Sequence, residues 1–282
     1  MTRLAEIQGH IASMDELQDI VGAMRSLAGM RVQEAQRVLP GIRRYAESMA
    51  AAIGTTLRLL PMPAPETRAA RGRRALILCT AEHGFVGGFN ERLMDALDAV
   101  AGPQDALFVL GSRGALLAAE RGRKADWTAP MATRPSGVSE SIRRLTAALY
   151  ARIARREISR VEVIFGRYAQ GAAPSIEQHL LLPLDLTALA AKQPRQAPMH
   201  NLAAETLLER LMSEYVFALL MEAAVESIAS ENAARFSAME SAHDNVSKKL
   251  DQLRQGERQA RQSEITTELL DLITGSAMLA QT

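Results

Sequence analysis

Apolar residues open the chain at Leu4, Ile7, Ile11, Met14, Leu17, Val21, Met24 and Leu27, in steps of three or four. That spacing is the seam of a coiled coil, with charged and polar residues filling the gaps. Pro40-Gly41 predicts a kink or short break, after which helical spacing resumes through Tyr45, Met49, Ile53 and Leu57. Pro61, Pro63 and Pro65 then end this zone, residues 1–60, as a stiff linker. Residues 73–198 follow a different pattern. Ala75 to Cys79, Ala106 to Leu110 and Val161 to Phe165 are short apolar runs of the buried-strand type, and Ser175 to Leu182 adds a further strand closed by Pro183. Helical stretches at residues 91–100, 115–120 and 139–157 alternate with these runs, which predicts a parallel-type α/β sheet between two helical arms.

The last zone, residues 199–282, is dominated by one pattern. Residues 199–255 contain neither Gly nor Pro and would span about 85 Å as a helix. With Gly256 tolerated, that helix runs to Thr274. Its seam includes Leu208, Leu211, Tyr215, Val225, Phe236, Met239, Val246, Leu250 and Leu253, and Ala223, Ala224, Ala229, Ala233 and Ala234 allow close helix approach. So long a helix needs a partner for its apolar stripe, and the first zone supplies one in an antiparallel coil. The C-terminal arm is the longer of the two. Its end nevertheless carries Ile265, Leu269, Leu270, Leu272, Ile273, Met278 and Leu279, and adjacent pairs such as Leu269-Leu270 face different sides. One neighbouring helix cannot cover such an end, so a sleeve of other chains is expected around it.

Composition narrows the class. Hydrophobic residues at 48% and charged residues at 23% exclude a disordered chain. A formal charge of +1 gives no basic excess for nucleic acid, and a single Cys excludes an internal disulfide framework. The opening Met1-Thr2-Arg3-Leu4 has no apolar signal region, so secretion is not expected, and no stretch approaches a membrane span.

The sequence presents no catalytic, cofactor or metal constellation. The turn Glu82-His83-Gly84-Phe85-Val86-Gly87-Gly88-Phe89-Asn90 stands where α/β folds bind phosphates, but it lacks a P-loop ending and the Gly-x-Gly-x-x-Gly spacing. It is expected to be a tight strand-to-helix turn, with Asn90 as N-cap. Cys79 and His83 lack an orienting third group, and Cys79 reads as a buried structural thiol. Glu222 and Glu226 read as a pair on a solvated helix face, and the basic run from Arg68 to Arg74 as a solvated linker. An α/β enzyme with a coiled-coil oligomerisation arm, using the Gly84 to Asn90 turn, is the competing function. A coiled-coil scaffold is a third, and it leaves the many-sided apolar end unexplained.

Several motifs carry a resemblance. Ser213-Glu214-Tyr215-Val216-Phe217 leads into Glu226-Ser227-Ile228-Ala229-Ser230-Glu231-Asn232-Ala233-Ala234-Arg235. Ala238-Met239 and Asp244-Asn245 follow, and the run closes on Ala260-Arg261-Gln262-Ser263-Glu264-Ile265-Thr266-Thr267-Glu268-Leu269. Together these resemble the C-terminal signature of gamma subunits of F-type ATP synthases. Gly84 to Asn90 is similar to that family's Gly-rich turn, and Ala23-Met24-Arg25 with Gln33-Glu34-Ala35-Gln36 to its first helix. Asp19, Gly22 and Gly29 stand in a stretch usually richer in Lys, and Val86 replaces the usual Cys of the turn. These departures mark a divergent bacterial branch, such as an alternate F-type operon.

The resemblance implies an α/β fold in which long N- and C-terminal helices form an antiparallel coiled coil beside a central Rossmann-like domain. It implies a non-catalytic, cofactor-free central-stalk rotor. The implied partners are the alpha and beta subunits of the catalytic ring, the epsilon subunit and the ring of c subunits. Membrane contact would come only through those partners, at the cytoplasmic face of the bacterial inner membrane. By motif, Arg261, Gln262, Thr266 and Glu268, with Leu269 and Ile273, would face beta subunits near the tip. Met24 and Arg25 would lie beside the lever region of beta.

Overall fold

The structure is a computed structural model that describes residues 3–60, 72–169, 171, 174–191 and 200–279. The expected Pro61 to Pro65 linker and most of the basic run that follows lie outside these residues. The chain divides into one unit of Ala28–Arg235 and a second of Met1–Leu27 with Phe236–Thr282.

Two long helices thread the chain. Helix α1 is Arg3–Leu57, 55 residues, and α6 is Ala204–Leu279, 76 residues. The break expected at Pro40 is absent, and α1 runs on through it. Proline removes the hydrogen bond to the carbonyl four residues back. Here that carbonyl belongs to Gln36, and Pro40 and Gln36 are both exposed, so the carbonyl is open to water in place of the lost donor. The buried face of α1 in this unit, with Ala35, Leu39, Ala46, Ala50, Ile53 and Leu57, is undisturbed.

The unit Ala28–Arg235 is built on a five-stranded sheet in the order β3-β2-β1-β4-β5. Its strands are β1 Arg73–Cys79, β2 Ala106–Leu110, β3 Trp127–Ala129, β4 Ile158–Arg167 and β5 Ser175–Leu182. Strand β1 pairs in parallel with β2 and β4, β2 pairs in parallel with β3, and only the edge strand β5 is antiparallel, against β4. Side chains alternate across a strand, so the two faces have separate cores. Leu76, Leu78, Leu107 and Val109 pack against α2 (Phe89–Val100) and α3 (Ser112–Glu120). Ala75, Ile77, Cys79, Phe108 and Leu110 face α4 (Val138–Ala154), together with Leu220, Ala224 and Ile228 of α6 and Leu39 of α1. A smaller cluster joins Ile53 and Leu57 to Leu189 of the short α5 (Leu186–Ala191). Gly54 permits that contact, because a Cβ there would stand 2.5 Å from the Leu189 carbonyl oxygen.

In the other unit α1 and α6 pair antiparallel. Gln8 donates to Glu257 at 3.1 Å and Arg254 to Asp15 at 3.0 Å, so rising numbers on one helix meet falling numbers on the other. Val21, Met239, Val246 and Leu250 are buried along the seam. Leu17 and Leu27, expected in the seam, are instead 39% and 46% exposed, and Phe236 is also exposed. Gln18 and Leu253 are half-buried near the seam. An α-helix turns every 3.6 residues, so a strict 3.5-residue pattern drifts off the contact line.

Candidate functional site

The sequence-derived site residues all fall in the paired-helix unit, in two separate groups. Met24 and Arg25 are half-buried on α1. Arg261, Gln262, Thr266, Glu268, Leu269 and Ile273 are exposed on α6. The Asp15–Arg254 pair fixes the register. Met24 lies nine residues from Asp15 in one direction and Arg261 seven residues from Arg254 in the other. At 1.5 Å per residue, about 24 Å of coil separates the two groups.

Besides the Gln8 bond to Glu257, two polar bonds near the α6 end are internal to the helix. Arg261 pairs with Glu257 at 2.9 Å, one turn back, and the Thr266 hydroxyl donates to the Gln262 carbonyl at 2.8 Å. A shallow hollow of about 310 Å³ lies along Glu257, Arg258, Arg261, Gln262, Ile265 and Thr266. One helix forms all of it, so it encloses nothing. The seam pattern ends at Glu264, which is half-buried, and Ile265, Leu269 and Leu272 beyond it are 52%, 54% and 70% exposed. The side chains of Met278 and Leu279 lie outside the described residues.

The Gly-rich turn belongs to the sheet unit. In an open α/β sheet the ligand crevice lies at the carboxyl ends of strands where the chain order reverses. Here that point is between β1 and β4, and α6 fills it. Ser227 donates its hydroxyl to the Cys79 carbonyl at 2.7 Å, and Ser230 is fully buried against Gly166. A Cβ on Gly166 would meet Phe89 at 2.6 Å and Ser230 at 2.9 Å. Asn90 is not the expected N-cap. Helix α2 begins at Phe89 after Gly88, and the Asn90 side chain accepts from the Ala81 amide at 3.0 Å, so it ties the turn to the strand end. Cys79 is fully buried, and burial pushes its thiol up to about 12. Arg235 closes the turn from α6 by donating to the carbonyls of His83 and Gly84 and, at 2.7 Å, to Glu231. Burial raises the Glu231 carboxyl to about 6 even with Arg235 beside it.

Residues 3–279 match the sequence profile described as ATP synthase. The chain belongs to the ATP synthase family. It is similar to the ATP synthase gamma chain of Frankia casuarinae, 28% identical over 297 residues that cover 99% of this chain and 98% of that one. It is similar as well to the ATP synthase gamma chain of Geotalea uraniireducens, 25% identical over 290 residues and 98% of each chain. A chain of the Euglena gracilis mitochondrial ATP synthase shares the fold with a TM-score of 0.62 at 16% identity, over 98% of this chain and 95% of its own. A chain of the central stalk and c-ring of the Tetrahymena thermophila enzyme aligns with a TM-score of 0.55 at 17% identity, over 79% and 99%.

The signature run of α6 is thus a packing code. Ser227, Ala229 and Ser230 let the helix lie on the strand ends, and Glu231 with Arg235 locks the turn beneath it. Glu222 and Glu226 do not form a solvated pair. Glu226 is buried and Glu222 half-buried, and both accept from Arg43 of α1. Sequence reading missed this cluster. Its signal is a carboxylate set among Val225, Ser227, Ile228 and Ala229 with no cation one turn away, since position 222 is Glu and position 230 is Ser.

Proposed function

We propose that the chain is the central-stalk rotor subunit of a rotary F-type ATP synthase, coupling ion translocation through a membrane ring to ATP synthesis or hydrolysis on the alpha/beta ring. The chain is non-catalytic in this role, because nucleotide chemistry belongs to the ring around it. Its partners are the alpha and beta subunits, the epsilon subunit and the c-subunit ring. It meets the membrane only through them, as a peripheral component at the cytoplasmic face of the bacterial inner membrane. No helix among the described residues is long and apolar enough to cross a membrane.

The observation that carries the proposal is family membership from residue 3 to residue 279, since it takes in both long helices and the sheet together. Residues 1–60 and 199–282 act as the arms of the shaft and residues 73–198 as its foot. Arg261, Gln262, Thr266, Glu268, Leu269 and Ile273 face beta subunits near the tip, and Met24 and Arg25 lie beside the lever region of beta. The exposed apolar end of α6 supports a sleeve there.

Leu269→Arg tests the sleeve. The side chain is 54% exposed in the chain alone, so a charge costs the fold little. Inside a dry sleeve the same charge weakens assembly by roughly 3–5 kcal/mol at most. Reconstituted with ring subunits, the variant should fold normally and assemble poorly, with lower ATPase activity of the complex. Unchanged assembly and activity would sink the shaft-in-sleeve role of this end.

A further inference from the structure

In the unit Ala28–Arg235, Arg43 of α1 stands against α6. Its Nε donates to Glu222 at 2.7 Å and its Nη2 to the Oε1 of Glu226. The second oxygen of Glu226 accepts the Tyr168 amide at 3.2 Å, just past the end of β4. The Glu226 side chain is only 4% exposed. One chain of hydrogen bonds therefore runs from α1 through a buried carboxylate on α6 to the strand end. The apolar cluster around it is mixed in shape, with Leu39 and Ile42 of α1 against Phe217, Ala223 and Ala224 of α6. Close packing of this kind holds the two helices together without directional bonds. A charged fork that grips two carboxylates one turn apart resists sliding.

We propose that Arg43 is a positioning residue for rotary coupling: its two-carboxylate clamp locks α1 and α6 to the sheet so that both helices turn with it. This rests on the rotor function proposed above. Arg43 touches no reacting group and acts through Glu222 and Glu226.

Removing Arg43 also leaves Glu226 buried without its main cation. Among the described residues, the charged and titratable groups that remain around it are Glu222 and Tyr215 on α6, Arg167 on β4, Tyr168 just past it and His179 on β5, with Arg167 the remaining positive charge that acts on it. Burial already pushes the Glu226 carboxyl upward while Arg43 pulls it down, so loss of Arg43 raises it further. Protonation then relieves the buried charge. A variant lacking Arg43 is therefore worst at high pH and recovers as the pH falls.

The experiment uses the whole F-type complex containing this chain in sealed vesicles. ATP hydrolysis and the ATP-driven membrane potential, followed with oxonol dye, are measured together so that the coupling ion need not be known. Arg43→Met should retain most hydrolysis yet lose several-fold in potential per ATP hydrolysed at pH 8, with partial recovery at pH 6. Arg43→Lys should restore at least half of the wild-type ratio. The triple variant Arg43→Met, Glu222→Gln, Glu226→Gln removes the buried charge, so it should assemble fully and still couple poorly, with no pH dependence from this cluster. The clamp is overturned if the triple variant couples like wild type, or if Arg43→Met loses hydrolysis and potential in proportion at both pH values. Failure of the wild-type chain itself to support any potential would refute the rotor function and the clamp with it, and is distinguished by occurring without substitution.

Discussion

Replacing Glu231 by Gln should remove a defined pH dependence from the stability of the chain. Glu231 is 6% exposed on α6, and Arg235 donates to it at 2.7 Å from the next turn. Burial raises its carboxyl from 4.5 to about 6, Arg235 offsets part of that rise, and the charge of Glu82 adds to it. An acid whose pKa is higher in the folded state binds its proton more tightly there. Its ionisation therefore costs the fold nothing below about pH 4.5, and the cost grows until the pH is above 6. The interval from 4.5 to about 6, at about 1.36 kcal/mol per pH unit, comes to about 2 kcal/mol. Urea unfolding of the full chain and of Glu231→Gln, from pH 5 to pH 8, isolates this group, because subtracting one curve from the other cancels the other carboxylates. The amide keeps the shape and one acceptor for Arg235. The variant should gain on wild type by most of that 2 kcal/mol as the pH rises across the window. A difference that stays flat within about 0.5 kcal/mol would mean that Arg235 fully compensates the carboxylate, and the pH dependence argued here would be wrong.

Two further outcomes follow from the geometry. Gly166→Ala places a Cβ 2.6 Å from Phe89 and 2.9 Å from Ser230, so it should destabilise the chain by about 1–3 kcal/mol, read as a lower urea midpoint at unchanged slope. Arg261→Ala breaks an exposed pair with Glu257 and should cost the isolated chain roughly 0–1 kcal/mol by the same assay, while lowering the coupling of hydrolysis to ion movement in the assembled complex more than it lowers assembly.

What the sequence disclosed depended on how local each cause was. Strands β1 and β2 were legible because both of their faces are covered, which makes each an unbroken apolar run. Strand β3 was not legible. It has three residues, Thr128 at its centre is exposed, and it exists because β2 offers a free edge. Whether Pro40 would break the helix was not legible for a related reason, since that depends on whether the orphaned carbonyl can reach water, which spacing alone does not state. Glu231 with Arg235 could be read from one helical turn. The partner of Glu226 could not, because it arrives from residue 43, far away in sequence.

The most informative signal in the sequence was a helix apolar on several sides, and it occurs twice in α6 with opposite outcomes. Across residues 215–235 no side chain is exposed, because the sheet, α4 and α1 together surround the helix. Burying one Leu or Ile side chain contributes roughly 1.5–3 kcal/mol, so that stretch is a main source of stability for its unit. Beyond Glu264 the same kind of pattern leaves Ile265, Leu269 and Leu272 at half exposure or more. A chain that stayed alone would bear the hydration cost of those side chains with nothing in return. Helix α6 is paired with α1 as far as the Gln8–Glu257 bond, so the apolar end continues from a segment that is already ordered. A preordered rod with an uncovered apolar end fits insertion into a preformed collar better than folding upon binding, and a preformed collar of this kind is what the alpha/beta ring of a rotary motor would supply.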